Sequence, residues 1–331
     1  MSRELKYDLM RCVAILLVAT QHAWSMLGLD TEEHGMLCFC YRAIVDCGVP
    51  LFVLVSGALN LRSVSDTRTF FRKRFVRVLV PFLLWALPIY VVSAVMGKYA
   101  EVTDISSAVR QYVPFLFENK INTSHWFIHM LIVLYLFTPL LQRVVHGDDG
   151  KRVTEYMLWL LFVLVLLKWL VPELYIMKYV TTLFTYVGLY VAGYYISTYL
   201  TDAQRNIRLG AVALPVLYLG DVLTACPDVL LTHLTAVALF ILMSAFLTSQ
   251  SRFDELLTAV SRYSYFIYLV HIPLIGLLYM FAGRYVPLSS GLLSAVAPVL
   301  FSVVAVGVCA LAGKVLDLLL RDKAVYLGIS R

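Results

Sequence analysis

The sequence predicts an all-α integral membrane protein, a polytopic bundle of transmembrane helices. Of its 331 residues, 61% are hydrophobic and only 15% are charged, and the mean hydropathy is +0.81. A soluble domain is nearer half apolar and a quarter charged, and a chain this apolar could not cover a water-exposed surface. The formal charge of +6 therefore bears on topology, and we do not expect nucleic acid as a partner.

About ten apolar stretches have the length of a transmembrane helix, which is about 20 residues. The stretches are 9–29, 36–61, 78–96, 126–141, 156–171, 179–200, 209–224, 231–247, 263–281 and 292–311. Mostly short segments separate them, so we treat 1–331 as a single transmembrane domain. The longest loop is 97–124, and its sequence pattern predicts a short amphipathic helix at Ile105–Phe117. This helix would serve either as a lid over an acceptor site or as an interfacial anchor.

The distribution of Lys and Arg orients the predicted bundle. If the N-terminus is cytoplasmic and the spans alternate, 20 of the 27 basic residues fall on the cytoplasmic side. Basic residues concentrate in cytoplasmic loops. The bias predicts an even number of spans with both termini in the cytoplasm, in a multi-pass protein of the inner or plasma membrane.

Three ionisable residues stand out in the first predicted helix, because charged groups inside a membrane are costly and rare. Asp8 and Arg11 lie near its cytoplasmic end, and His22 lies eleven residues beyond Arg11. At 100° and 1.5 Å per residue, Arg11 and His22 fall within about 20° of one face and roughly 16 Å apart along the axis. Snorkelling also explains Arg11 and a structural role explains His22, but a histidine is a suitable base near neutral pH.

A basic run at 70–81 enters the third predicted span. Arg74 and Arg77 are three residues apart, and residues at this spacing share a helix face. Topology and contact with anionic membrane lipids explain such a cluster. It also suits a phosphorylated ligand, because the arginine fork matches phosphate oxygens.

Further candidates lie in the other spans. Asp46 is either a buried partner for a histidine or arginine or a carboxylate at the outer rim. His125 and Trp126 open the fourth span at its outer end, where tryptophan suits the interface and a lone histidine is often just solvated. His271 lies in the middle of the ninth span, as a packing residue or a partner for a base. The sequence contains no metal-ligand spacing, and we expect no metal.

The segment 7–18 together with His22 resembles the first helix of the membrane acyltransferase-3 family, whose signature is an arginine and a histidine separated by ten residues. The chain also resembles later landmarks of that family, in the same order. The matching segments are Ser56-Gly57, Arg74-x-x-Arg77, Trp126-Phe127, Tyr135 with Thr138-Pro139, and Tyr263-Ser264 to His271. The resemblance spans nearly the whole chain. It is to the minimal membrane form, without the soluble esterase-like domain of some members.

The resemblance implies transfer of an acyl group, usually acetyl, from cytoplasmic acyl-CoA to a hydroxyl of an exported or lipid-linked sugar. Acyl-CoA is then the co-substrate, and a glycolipid or polysaccharide is the acceptor. His22 would be the catalytic base, and Arg11 with the Arg74–Arg77 pair would hold the CoA phosphates. Asp8 lies beside Arg11 on the same stripe, along which the pantetheine arm would reach His22.

The remaining roles stay open at this stage. Asp46 and His271 are candidates to orient His22, while His125 and Trp126 are candidates for the acceptor site. The main alternative function is a secondary transporter or flippase, which would use the intramembrane histidine and arginine as proton or substrate sites. The absence of an inverted repeat in the sequence disfavours that alternative.

Overall fold

The computed structural model describes residues 4–29, 35–171, 173, 182–224, 229–245, 252–282, 284 and 291–330. Within that part of the chain the structure is helical and contains no strand, so the predicted all-α class is confirmed. The described helices are α1 (Leu5–Met26), α2 (Gly35–Val45), α3 (Gly48–Asn60), α4 (Thr67–Arg74), α5 (Val80–Val95), α6 (Ile105–Phe117), α7 (Trp126–Val145), α8 (Gly150–Leu170), α9 (Thr182–Tyr199), α10 (Ala203–Thr224), α11 (Val229–Ser244), α12 (Arg252–Ala282) and α13 (Gly291–Leu320).

The predicted apolar stretches coincide with these helices. By length and composition, eight helical segments of the described chain are able to cross a membrane, and α11 is a shorter apolar helix. Two of the eight segments each contain two α-helices, because α2 with α3 and α4 with α5 continue through a local irregularity. Residues 179–181 and 246–247 of the predicted stretches lie outside the described residues.

Helix α1 occupies the middle of the bundle, where it packs against α3, α12 and α13. Its small residues Ala14, Ala19 and Ala23 are fully buried, which lets the neighbouring helices approach closely. With neighbours on several sides, the polar groups of α1 face protein and cavities instead of lipid. The bundle is thus built around the helix that carries Asp8, Arg11 and His22.

Helices α3 and α9 make a very close backbone contact at two glycines. A Cβ atom on Gly57 would lie 1.7 Å from the carbonyl oxygen of Tyr190, and one on Gly193 would lie 1.9 Å from the carbonyl oxygen of Leu54. Neither position has room for a side chain, because backbone atoms cannot move aside as a flexible side chain does. The small residues around position 57 therefore serve close helix packing, as their sequence suggests.

The predicted amphipathic helix is confirmed as α6 (Ile105–Phe117). Asp104 caps its N-terminus by accepting a hydrogen bond from the Ser107 backbone N–H at 2.7 Å. An apolar stripe with a four-residue spacing is exposed along it, at Ile105, Val109, Val113 and Phe117. A polar helix with one exposed apolar stripe suits the membrane interface, so the structure favours the anchor over the lid.

A π-helical segment, Phe75–Leu79, joins α4 to α5. A π-turn inserts one extra residue and rotates the side chains that follow, and such turns recur at functional sites. Arg77 lies within this segment, and Arg74 is the last residue of α4. Both arginines line the same cavity despite the change of helical pitch between them.

Candidate functional site

A cavity of about 630 Å³ opens near the N-terminal end of α1 and is rich in arginine. We call it the basic cavity; its lining residues are Glu4, Tyr7, Asp8, Arg11, Phe52, Ser56, Leu59, Arg62, Arg74, Arg77, Val78, Phe127, Leu131, Tyr135, Ser261, Ser264, Tyr265, Tyr268, Val325, Gly328, Ile329 and Ser330. Four arginines face two carboxylates in this lining, so the cavity carries a positive charge. The three arginines predicted to bind phosphate therefore lie in one place.

Arg74 is fixed firmly in the wall of the basic cavity. Its Nη2 atom donates a hydrogen bond to the Asn60 side chain, and its guanidinium lies 5.2 Å from the Phe70 ring centre and 5.0 Å from that of Tyr135. Asn60 is itself held by Gln142, whose amide donates to the Asn60 carbonyl at 2.6 Å. The Nε atom of Arg74 is buried and has no hydrogen-bond partner within the described chain. Arg74 thus presents a preorganised donor, whereas Arg77 is exposed.

Arg11 and Asp8 form the part of the stripe that lines the basic cavity. The Asp8 carboxylate is 1% exposed and accepts a hydrogen bond from the Ser261 hydroxyl at 2.6 Å, and Arg11 Nη1 lies 3.8 Å from Asp8 Oδ1. Asp8 therefore ties α1 to α12 and holds the neighbouring arginine. At the rim, partial burial raises the pKa of Glu4, but hydrogen bonds from Arg62 and Lys6 outweigh burial, so this pKa is lower than usual.

A second cavity, of about 540 Å³, lies toward the other end of α1. We call it the His22 cavity; its lining residues are Val18, Gln21, His22, Ser25, Phe39, Arg42, Ala43, Val45, Asp46, Val49, Pro50, Thr123, Ser124, Trp126, Tyr186, Asp221, Thr232, His233 and Tyr268. Hydroxyl, amide, imidazole and carboxylate groups alternate with aromatic rings. Such a lining suits a ligand with several hydroxyl groups and an apolar face.

His22 pairs with His271 across the interface between α1 and α12. The two ring centres are 5.3 Å apart, and the rings are tilted by 46°. His271 is fully buried, and its Nδ1 atom lies 2.8 Å from the Tyr268 carbonyl oxygen and 3.2 Å from that of Ile267. Because a carbonyl only accepts, Nδ1 carries a proton, and the Nε2 of the neutral ring is a bare lone pair.

The lone pair of His271 lacks a donor. Its Nε2 atom is buried and has no hydrogen-bond partner within the described chain, and an unsatisfied buried polar atom is costly. An N–H of the neighbouring His22 imidazole, whose ring centre lies 5.3 Å away, would be a suitable donor. That contact would fix the His22 tautomer, with the second ring nitrogen as an acceptor for a substrate proton.

Asp46 lies in the wall of the His22 cavity, at the break between α2 and α3. Arg42 Nε is 3.4 Å from the Asp46 Oδ2 atom, and the carboxylate is about a third exposed. Of the two proposed orienting partners, the structure places His271 against His22 and pairs Asp46 with an arginine. Asp46 is thus a carboxylate in the wall of the His22 cavity.

His125 and Trp126 separate in the structure. Trp126 lines the His22 cavity, and its ring centre lies 5.8 Å from that of Tyr186. His125 is only 2% exposed; its ring packs edge-on against Phe82 at 5.2 Å, and the amide nitrogen of Asn122 lies 3.4 Å from its Nε2 atom. His125 is therefore a buried packing residue and not the solvated rim histidine that its sequence position suggests.

Several lining residues escaped the sequence reasoning. Asp221 accepts a hydrogen bond from the Thr232 hydroxyl at 2.7 Å in the wall of the His22 cavity, and His233 lies one residue further along α11. Both ionisable residues fall in predicted apolar spans, so the rule that drew attention to His22 also points to them. Tyr268 lines both cavities and carries no signal in the sequence beyond its aromatic character.

No group of three His, Cys, Asp or Glu residues in the described chain is placed to hold a metal ion. The two cavities present arginine, imidazole, hydroxyl and carboxylate groups.

A comparison with protein families places the chain. A family model described as an acyltransferase domain matches residues 4–313, which is nearly the whole chain. The chain belongs to the acyltransferase-3 family, as the resemblance of its motifs implied, and is a membrane acyltransferase. Searches of curated proteins and of solved structures found no match.

Proposed function

We propose that the protein transfers an acyl group, acetyl in the simplest case, from cytoplasmic acyl-CoA to a sugar hydroxyl on the other side of the membrane. The observation that supports this most directly is the pair of cavities at opposite ends of α1. One is lined by four arginines and the other by His22, whose ring lies against that of His271, and both extend to Tyr268. A donor and an acceptor entering from opposite sides would meet at this residue.

The donor fits the basic cavity by charge and by shape. The diphosphate and 3′-phosphate of CoA are too strongly charged to enter hydrocarbon, so they stop where arginines replace their water. Arg74 and Arg77 are the proposed phosphate ligands, and Arg11 is held further along α1 by Asp8. The narrow pantetheine arm then extends past Phe52 and Phe127 toward Tyr268 and brings the thioester near His22.

The acceptor fits the His22 cavity. A sugar ring stacks its apolar face on an aromatic side chain and presents its hydroxyls to polar groups, and Trp126 and Tyr186 provide such rings. Asp46 and Asp221 line the same cavity and would accept hydrogen bonds from the sugar hydroxyls. We propose an exported or lipid-linked sugar as the acceptor, because it would enter from the side opposite the donor.

The proposed reaction uses His22 as a general base. One ring nitrogen takes the proton of the acceptor hydroxyl as the hydroxyl oxygen attacks the thioester carbonyl. The tetrahedral intermediate then collapses, the carbon–sulfur bond breaks, and the proton passes from His22 to the CoA thiolate. In this proposal His271 acts through His22: its Nε2 lone pair would accept the N–H of the other ring nitrogen, and the proximity of the two rings supports this role.

The test uses the purified protein in proteoliposomes with [¹⁴C]acetyl-CoA and a glycolipid extract as acceptor. We expect label to move into the glycolipid fraction. His22→Gln should bind CoA with the parental affinity, yet transfer label roughly 10²–10⁴-fold more slowly, because an amide cannot take up the proton. His22→Ala should fall as far.

Two results would count against the proposal. Parental turnover in well-folded His22→Gln would remove His22 from the chemistry and leave His271 as the next base to examine. A parent protein that binds CoA but never transfers label, while it moves the glycolipid between leaflets, would favour the flippase alternative.

A further inference from the structure

Tyr268 borders both the basic cavity and the His22 cavity, and no other residue of the two described linings does so. The side chain is 3% exposed and lies on α12, one turn before His271. Its hydroxyl donates a hydrogen bond to the backbone carbonyl of Ser124, which itself lines the His22 cavity. The ring is therefore tethered between the two cavities.

An aromatic layer supports the ring on the side of the basic cavity. The Phe127 ring centre lies 5.5 Å from that of Tyr268 at an interplanar angle of 71°, and the Phe52 ring centre lies 6.1 Å from that of Phe127. Phe52 and Phe127 both line the basic cavity. The three rings form a thin apolar wall, with polar surface on either side of it.

We propose that Tyr268 is the barrier that keeps the two cavities from joining into one water-filled path across the membrane. Each cavity is large and polar enough to hold several water molecules. A continuous column of water through the bilayer would conduct protons. A membrane protein with a water-filled cavity at each end therefore requires a barrier between the two cavities. Removal of the Tyr268 ring opens that wall, whereas loss of its hydroxyl alone leaves the wall closed.

If the proposed function holds, transfer requires the Tyr268 ring to move aside when the acceptor hydroxyl is in place, and at other times the ring keeps the water beside His22 away from the thioester. Water from the His22 cavity that reached the thioester would add to its carbonyl, the carbon–sulfur bond would break, and acetate and the CoA thiol would leave, the thiolate taking the proton. The acyl group would then be lost without an acceptor. This hydrolysis rests on the proposed acyl-CoA site, but the barrier to protons does not.

The experiment measures proton leak in proteoliposomes with an internal pH-sensitive dye, after valinomycin sets a potassium diffusion potential. Tyr268→Ala should leak protons at least roughly tenfold faster than the parent, equivalent to a barrier lower by about 1.4 kcal/mol. Tyr268→Phe keeps the ring and should stay near the parental rate. Tyr268→Val is a second truncation, in case the alanine variant does not fold, and fluorescence-detected gel filtration checks all variants.

Two tyrosines serve as matched controls, because each lines one cavity. Tyr265 lies on the same helix, donates to the Val78 carbonyl at 2.8 Å and lines the basic cavity. Tyr186 lines the His22 cavity. Tyr265→Ala and Tyr186→Ala enlarge one cavity each and should leave the proton barrier closed.

The outcomes separate cleanly. Fast leak in the folded Tyr268 truncations alone supports the barrier. Parental leak in both truncations, or equal leak in the Tyr265 and Tyr186 controls, overturns it. In a second assay, vesicles without the dye receive [¹⁴C]acetyl-CoA and no acceptor, and the release of labelled acetate is measured. Proton leak together with hydrolysis supports both the barrier and the donor site. Proton leak without hydrolysis retains the barrier and contradicts the proposed donor site.

Discussion

The two arginines of the basic run should contribute differently to binding and to stability. Arg77→Gln removes an exposed charge, and Arg74→Gln removes one that is fixed by Asn60 and two aromatic rings. A hydrogen bond to a charged group is worth about 1.5–3 kcal/mol, so each substitution should weaken CoA binding roughly 10- to 150-fold. The effect on affinity should shrink as salt rises, because the lost interaction is partly ionic.

Stability should distinguish the two positions. An exposed substitution away from packing changes the unfolding free energy by no more than about 0.5 kcal/mol, so Arg77→Gln should melt near the parental temperature. Arg74→Gln loses two cation–π contacts of about 0.5–1 kcal/mol each and deprives Asn60 of its donor. It should therefore melt at a lower temperature while also binding CoA more weakly.

Isothermal titration of CoA into the protein in nanodiscs gives the affinity, and tryptophan fluorescence gives the melting temperature. Lys73→Gln is the matched control, because Lys73 is exposed on the same helix and outside the described lining of the basic cavity. An unchanged Kd in a folded Arg74→Gln/Arg77→Gln double variant would refute the reasoning. The run would then serve topology alone.

Two further predictions concern the fold. Gly57→Ala should lower the melting temperature sharply, since its Cβ would lie 1.7 Å from a backbone oxygen and overpacking costs about 1–3 kcal/mol or more; Gly276→Ala, with no neighbour within 4 Å, should melt no lower than the parent. Equal melting temperatures of the two variants would contradict the α3–α9 contact.

Asp104→Ala should speed hydrogen exchange in the first turn of α6. The hydrogen bond from the Ser107 backbone holds the pKa of Asp104 below its usual value, so the parent keeps this cap at neutral pH and loses it only as pH falls through that lowered pKa; unchanged exchange would argue against the cap.

The local features of the fold were predictable because local sequence determines them. Apolar length gives the positions of the spans, and the amphipathic pattern of the long loop gives α6 with the predicted bounds. The break at Asp46 and the π-segment Phe75–Leu79 were not predictable. Both are irregularities inside apolar helices, where neighbouring helices and not the local pattern decide which backbone hydrogen bonds form.

The site was predictable only as a set of separate residues. Helical spacing places Arg11 and His22 on one stripe, and a shared face places Arg74 beside Arg77. The pairing of His22 with His271 joins positions far apart in the sequence, so no local pattern contains it. The burial of His125 has the same origin, because Phe82 on another helix covers a ring that the sequence places at a rim.

The central position of α1 has a consequence for how the protein is made. Asp8 finds its hydroxyl partner on Ser261, which is 253 residues later in the chain. At 5–20 residues per second, synthesis of that interval takes roughly 13–50 s. During this time the first helix, with a carboxylate, a guanidinium and an imidazole, is without the helices α12 and α13 that later shield it. The ionisable groups of α1 therefore remain without their final helical neighbours until most of the chain has been made.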